Sequence, residues 1–141
     1  MDDTDQTLIT LLRENARLST AELGRRLSLS RTTVQSRIER LERQGVIVGY
    51  TARLSEAHER GAVRALVMIT VRPKEQRAVE AALRALPAVR MLHTVSGVFD
   101  MIALVVAGST AEMDERVDAI GAVSGVERTT SSIILATRFE R

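Results

Sequence analysis

Apolar residues fall on one side of a helix at the start of the chain. Leu8, Ile9, Leu11 and Leu12 recur at helical spacing behind the polar start "DDTD". They predict a helix over residues 4–15 whose acidic first turn complements the helix dipole. Ser19 with Glu22 three residues on is a capping box, opening a second helix to about Leu27. Ser30 caps a third, in which Val34, Ile38 and Leu41 form one apolar rib and Gly45 is the stop. "VIVGYTARL" follows with β-branched residues around Gly49 and predicts a short strand or wing.

Beyond residue 55 the pattern changes. "EAHERG" is polar and without an apolar rib, so it marks a linker or boundary. "VRALVMITV" reads as a strand, Pro73 as a helix start, and Val79, Ala82, Leu83 and Leu86 as that helix's buried face until Pro87. "VRMLHTVS" and "DMIALVVA" are two more strands around the turn "GVF". Ser109 with Glu112 caps a helix ribbed by Met113, Val117 and Ile120, and "GVERTTSSIILATRF" is the last strand. The order β-α-β-β-α-β is the split pattern of a ferredoxin-like sandwich, one sheet with two helices on one face. "MIALVVA" is apolar on both sides, whereas a sheet with one wet face should alternate. A second copy of the chain is the simplest cover.

The expected class is therefore α+β. A helix-turn-helix domain, winged by the short strand, spans residues 1–50, a linker 51–62, and a βαββαβ domain 63–141. At 141 residues and 45% hydrophobic content the chain can build two small cores. It has no cysteine, which removes disulfides, thiolate nucleophiles and Cys-based zinc sites and fits a reducing compartment, the cytoplasm by default. The acidic N-terminus is unlike a signal peptide, and no apolar run approaches a membrane span.

Charge sharpens the helical half. Net charge is only +2, but from Arg17 to Arg43 seven arginines face three acids, Glu22, Glu39 and Glu42. A solvated face with intrahelical ion pairs would account for such a cluster on its own. The helix-turn-helix beneath it favours DNA, because the second helix of that motif lies in the major groove. At ~100° per residue the rib of Val34, Ile38 and Leu41 leaves Thr32, Thr33, Ser36, Arg40 and Arg43 on opposite or flanking faces. Ser30, Arg31, Thr32 and Thr33 put small donors at a helix N-terminus, suited to phosphates and base edges, and Gln35 could pair with adenine. The candidate DNA contacts are Ser30, Arg31, Thr32, Thr33, Gln35, Ser36, Arg37 and Arg40. A three-helix unit that packs only against protein is the alternative. Gly24, inside the second helix, predicts a close helix crossing.

The stretch "LSTAELGRRLSLSRTTVQSRIERLERQGVIVGYTA" resembles the Lrp/AsnC family of feast/famine transcriptional regulators, with Leu23, Leu29, Ser30, Val34, Arg37, Leu41, Glu42, Gly45, Ile47, Gly49 and Tyr50 at the family's positions. The likeness continues through "VSGVFDMIALV" and "GVERTTSSIIL". It departs at Gly24, commonly Ala, and at Ser28, commonly Gly. The resemblance implies a regulator that binds double-stranded DNA and senses an amino acid or related metabolite. It also implies a homodimer assembling into an octamer or similar ring, with no cofactor beyond the effector. It places that effector near Gly97, Val98, Phe99 and Asp100, and near Thr129, Thr130 and Ser131. Gly97 would allow close backbone approach to a carboxylate, and Asp100 would meet an ammonium group. A plain hairpin, with Gly97 making the turn and Asp100 capping it, is the other reading of that loop.

Some sirohaem-type tetrapyrrole decarboxylases share this two-part architecture, so an enzyme is the rival class. The two histidines argue against it: His58 falls in the linker and His93 in a strand, with no metal spacing or nucleophile and base pair.

Overall fold

The computed structural model describes residues 1–55 and 61–139. The chain divides into two compact units, Met1–Arg53 and Leu54–Arg141. Most of the expected linker "EAHERG", with His58, lies outside the described residues.

The first unit holds α1 (Asp3–Glu14), α2 (Thr20–Leu27) and α3 (Arg31–Arg43). Each begins at a side-chain cap. Asp2 accepts from the Asp5 amide, Ser19 from that of Glu22, and Ser30 from that of Thr33. Leu8, Leu23, Val34 and Leu41 are fully buried at the centre, with Ile9, Leu11, Leu12, Leu18, Leu27, Leu29, Ile38 and Ile47 packed around them. Between α2 and α3 the chain turns through Ser28, held at φ 55° and ψ 41°, a left-handed conformation glycine adopts more easily. Gly45, at φ 69°, ends α3 as expected.

The short strand expected after α3, the wing, does not form: residues 46–55 contain none. The Val46 and Ile47 amides turn back instead and both donate to the Leu41 carbonyl, at 2.9 and 3.2 Å. The remaining segment has no neighbouring strand to pair with among the described residues of this unit.

The second unit runs β1 (Val63–Val71), α4 (Gln76–Arg84), β2 (Val89–Thr94), β3 (Met101–Ala107), α5 (Thr110–Gly121) and β4 (Val126–Ile133). The strands lie in the order β2-β3-β1-β4, all neighbours antiparallel. This is the expected ferredoxin-like sandwich. Two boundaries shift. Pro73 does not start a helix: Lys74 takes φ 72°, the Glu75 amide bonds the Arg72 carbonyl, and α4 begins only at Gln76. The last strand stops at Ile133.

Alternation divides the sheet. Ala65, Val67, Ile69 and Val71 of β1, with Met101, Ala103, Val105 and Ala107 of β3, are buried against Val79 and Leu83 of α4 and Met113 and Ile120 of α5. The other face carries Leu66 paired with Leu104 and Met68 paired with Ile102. His93 of β2 lies beside Ile102. Among the described residues of this unit no helix covers this face, and Leu66 and Met91 remain 41% and 51% exposed. No helix among the described residues is long and apolar enough to cross a membrane.

Candidate nucleic-acid interface

Val34 and Leu41 anchor α3 in the core, and that fixes which of its sides meets water. Ser30, Arg31, Thr32, Thr33, Gln35 and Ser36 are all exposed. At the leading end the Ser30 hydroxyl lies 3.1 Å from that of Thr32 and 2.7 Å from that of Thr33, so three hydroxyls cluster over the first turn. No acid occupies that turn, so its free amides and partial positive charge face outward unopposed. Gln35 is partly engaged: its Nε2 donates to Glu39 at 2.8 Å. Such an end suits a polyanion that offers oxygen acceptors.

Arg37 and Arg40 stand apart from this group. Both turn toward the first turn of α1. Arg37 donates through one terminal nitrogen to Asp2 at 3.0 and 2.8 Å and to Asp5 at 2.7 Å. Arg40 donates through its own to both Asp5 oxygens, at 2.9 and 2.7 Å. The Asp5 side chain is 1% exposed, Arg37 22% and Arg40 43%. Burial pushes the Asp5 carboxyl up. The Arg37 hydrogen bond, the Asp2 amide and the charge of Arg40 outweigh it, and the group stays below the usual carboxylate range. Asp2 is also lowered, chiefly by its bond to Arg37. Arg37 is therefore a link between helices before it is a surface cation. A sequence signal did exist: acids three apart, Asp2 and Asp5, match arginines three apart, Arg37 and Arg40, on one face of each helix.

The residues expected around an effector fall at one end of the sheet, on both sides of Ile69. The Asp100 amide donates to the Ile69 carbonyl at 3.0 Å, and Thr129 is the β4 partner of Ile69. Gly97, at φ 116°, makes the turn of the β2–β3 loop; Val98 is 78% exposed, while Phe99 is half-buried. One Asp100 carboxylate oxygen accepts from the Val71 amide at 2.8 Å, extending the ladder beyond the strand end. The carboxylate therefore caps the end of β1 and not the hairpin turn itself. Thr129 and Ser131 share the helix-side register of Ile69 and Val67, while Thr130 pairs with Met68 on the open face. The three β4 residues therefore do not converge. Among the described residues no group of three or more His, Cys, Asp or Glu could hold a metal ion.

Comparison with known proteins agrees with both units. The family model for the AsnC-type helix-turn-helix domain matches residues 1–42, and that for the Lrp/AsnC ligand binding domain matches residues 64–141. The HTH-type transcriptional regulator LrpA of Mycobacterium tuberculosis is 33% identical over 138 residues, covering 97% of this chain and 91% of that protein. The HTH-type transcriptional regulator LysM of Saccharolobus solfataricus is 28% identical, covering 99% and 96%. Among solved structures, a transcriptional regulator of Neisseria meningitidis in complex with L-Met superposes with a TM-score of 0.89 at 26% identity, covering 99% of this chain and 93% of that one.

Proposed function

The chain belongs to the Lrp/AsnC family of DNA-binding transcriptional regulators, and on that premise we propose that α3 reads an operator in the major groove while the βαββαβ unit binds an amino acid or close relative. Its relatives are transcriptional regulators, so the decarboxylase reading falls away. One observation carries the DNA half. The side of α3 opposite the buried Val34 and Leu41 presents Thr32 and Ser36 to solvent, and Arg31 stands exposed beside them at a Ser30-capped helix start that carries no acid.

In this reading Ser30, Arg31, Thr32, Thr33, Gln35 and Ser36 touch the duplex, and Arg40 meets it from the flank. Two copies join through the open sheet face around Leu66, Met68, Ile102 and Leu104, and dimers assemble further into a ring such as an octamer. Paired recognition helices then meet half-sites along one side of the duplex. The effector lies near Gly97, Val98, Phe99 and Asp100 and the Thr129–Ser131 stretch, and acts by favouring one assembly over another. The bound L-Met of the meningococcal relative supports that ligand class. The protein works in the cytoplasm, requires no cofactor, and uses residues 51–62 to join its halves.

The test is binding of a labelled duplex from the chain's own promoter region by the wild type and by Arg31→Ala with Thr32→Ala. Wild-type affinity should fall steeply with added salt and the double variant should lose about tenfold or more. Equal affinity in the two proteins would refute the assignment to α3. A thermal-shift screen against the amino acids tests the effector half, since a ligand of the folded state raises the melting temperature.

A further inference from the structure

We infer that Asp5 is a positioning residue for DNA binding: from the first turn of α1 it holds Arg40 of α3 so that the unused edge of the guanidinium meets a DNA phosphate. The inference rests on the proposed DNA binding by α3. Asp5 itself is 1% exposed, too buried to meet the duplex directly.

The two arginines on Asp5 differ in a way that fold stability alone does not require. Arg37 is 22% exposed and shared between Asp2 and Asp5, so its partners are internal. Arg40 keeps 43% of its side chain in solvent, and the bonds found for it among the described residues all run through one terminal nitrogen. A guanidinium carries five N–H donors in a rigid plane. With one corner fixed on both oxygens of a buried carboxylate, the remaining edge points away from Asp5. Arg40 follows Ser36 by one helical turn, so that edge extends the exposed hydroxyl face of α3 toward its C-terminal end.

An arginine free in solvent loses rotamer freedom when it binds a phosphate, whereas one already clamped loses less. The clamp also stays with the helix it serves. Arg37 links α3 to Asp2 and Asp5 one turn away, so Arg40 is oriented relative to the whole three-helix unit. A planar fork can bridge two acidic groups, and a lysine, with a single ammonium, cannot hold both in fixed geometry.

The experiment is a double-mutant cycle on DNA affinity, read by fluorescence anisotropy with the full chain and a labelled promoter duplex. Arg40→Gln should weaken binding about tenfold and Asp5→Asn about fivefold, the scale of one charge-assisted hydrogen bond. Combined, they should weaken it no more than Arg40→Gln alone, because Asp5 acts through Arg40. Losses that multiply in the combined variant would assign Asp5 a purely structural role and overturn the inference. So would an unchanged affinity in Arg40→Gln. If Asp5→Asn fails to fold by circular dichroism, Arg40→Lys decides: a loss of about threefold or more supports the clamp, and wild-type affinity refutes it. A wild-type protein that binds no duplex refutes the DNA reading itself, a result distinct from wild-type binding that Arg40→Gln leaves untouched.

Discussion

A β-carbon on Gly24 would lie 2.6 Å from the carbonyl oxygen of Leu29. The Leu29 amide donates to the Gly24 carbonyl at 2.9 Å, so the chain leaving α2 folds directly back onto this residue. The obstructing atom is backbone and cannot swing aside.

Gly24→Ala should therefore destabilise the helical unit by about 2 kcal/mol, although alanine is the better helix former. Thermal melting followed by circular dichroism measures it; an unchanged or higher melting temperature would show that the turn gives way easily.

Ser28→Gly should do the opposite. Serine at φ 55° sits in a region that disfavours side chains, and relieving it should add about 0.5 kcal/mol after the extra unfolded-state freedom of glycine is counted. The same melting experiment reads the sign.

Acid should loosen the helical unit through Asp2 and Asp5. Both carboxyls are held below their ordinary range by Arg37 and neighbouring groups. A lowered folded pKa contributes stability that is fully present above the unfolded value. It is lost as pH falls from about 5 through about 4 to the folded values. Helix content followed against pH should fall in this window, and Asp5→Asn should lessen the drop while lowering stability at neutral pH.

Tyr50, the chain's only tyrosine, reports on the exit from α3. Its hydroxyl donates to Glu42 at 2.8 Å. Partial burial, that hydrogen bond and the carboxylate's charge push its pKa up to about 12. The ring keeps 54% of its surface in water, so the carboxylate is the cause a mutation can remove. A raised folded value means stability present below about pH 10 and lost as pH rises through about 12. Phenolate absorbance during an alkaline titration should show this late transition, and Glu42→Gln should bring it down toward about 10.

Leu66→Glu tests the proposed pairing of sheets. Leu66 faces Leu104 across β1 and β3 on the face without helices. A carboxylate there tolerates solvent but not a second apolar sheet. Light scattering should find the wild type at a multiple of 15.5 kDa and the variant at the single-chain mass. A wild type that is already monomeric would remove the interface.

Much of the fold was legible in the chain because its signals are local. Ser19, Ser30 and Ser109 cap the helices that their spacing announces, and Val34 and Leu41 are buried as their rib requires. Legibility failed where a local preference met a longer-range one. The β-branched "VIVGY" has strand character but no neighbouring strand among the described residues of its unit, and its first amides are taken up by Leu41. Pro73 is compatible with a helix start, yet Lys74 at φ 72° turns the chain first. Among site candidates, the exposed hydroxyls of α3 follow from its rib, whereas the engagement of Arg37 and Arg40 does not.

By itself the sequence determined what repeats over a few residues: the helix periods, the caps, the apolar runs of β1 and β3, and hence two units and the outward side of α3. Periodicity is imposed by the backbone and needs no distant partner. Only the tertiary structure decided what depends on groups far apart in the chain. It set Asp2 and Asp5 against arginines more than thirty positions away and tied one Asp100 oxygen to the Val71 amide. A charge chooses its partner by distance in space, and that distance exists only after the chain has folded.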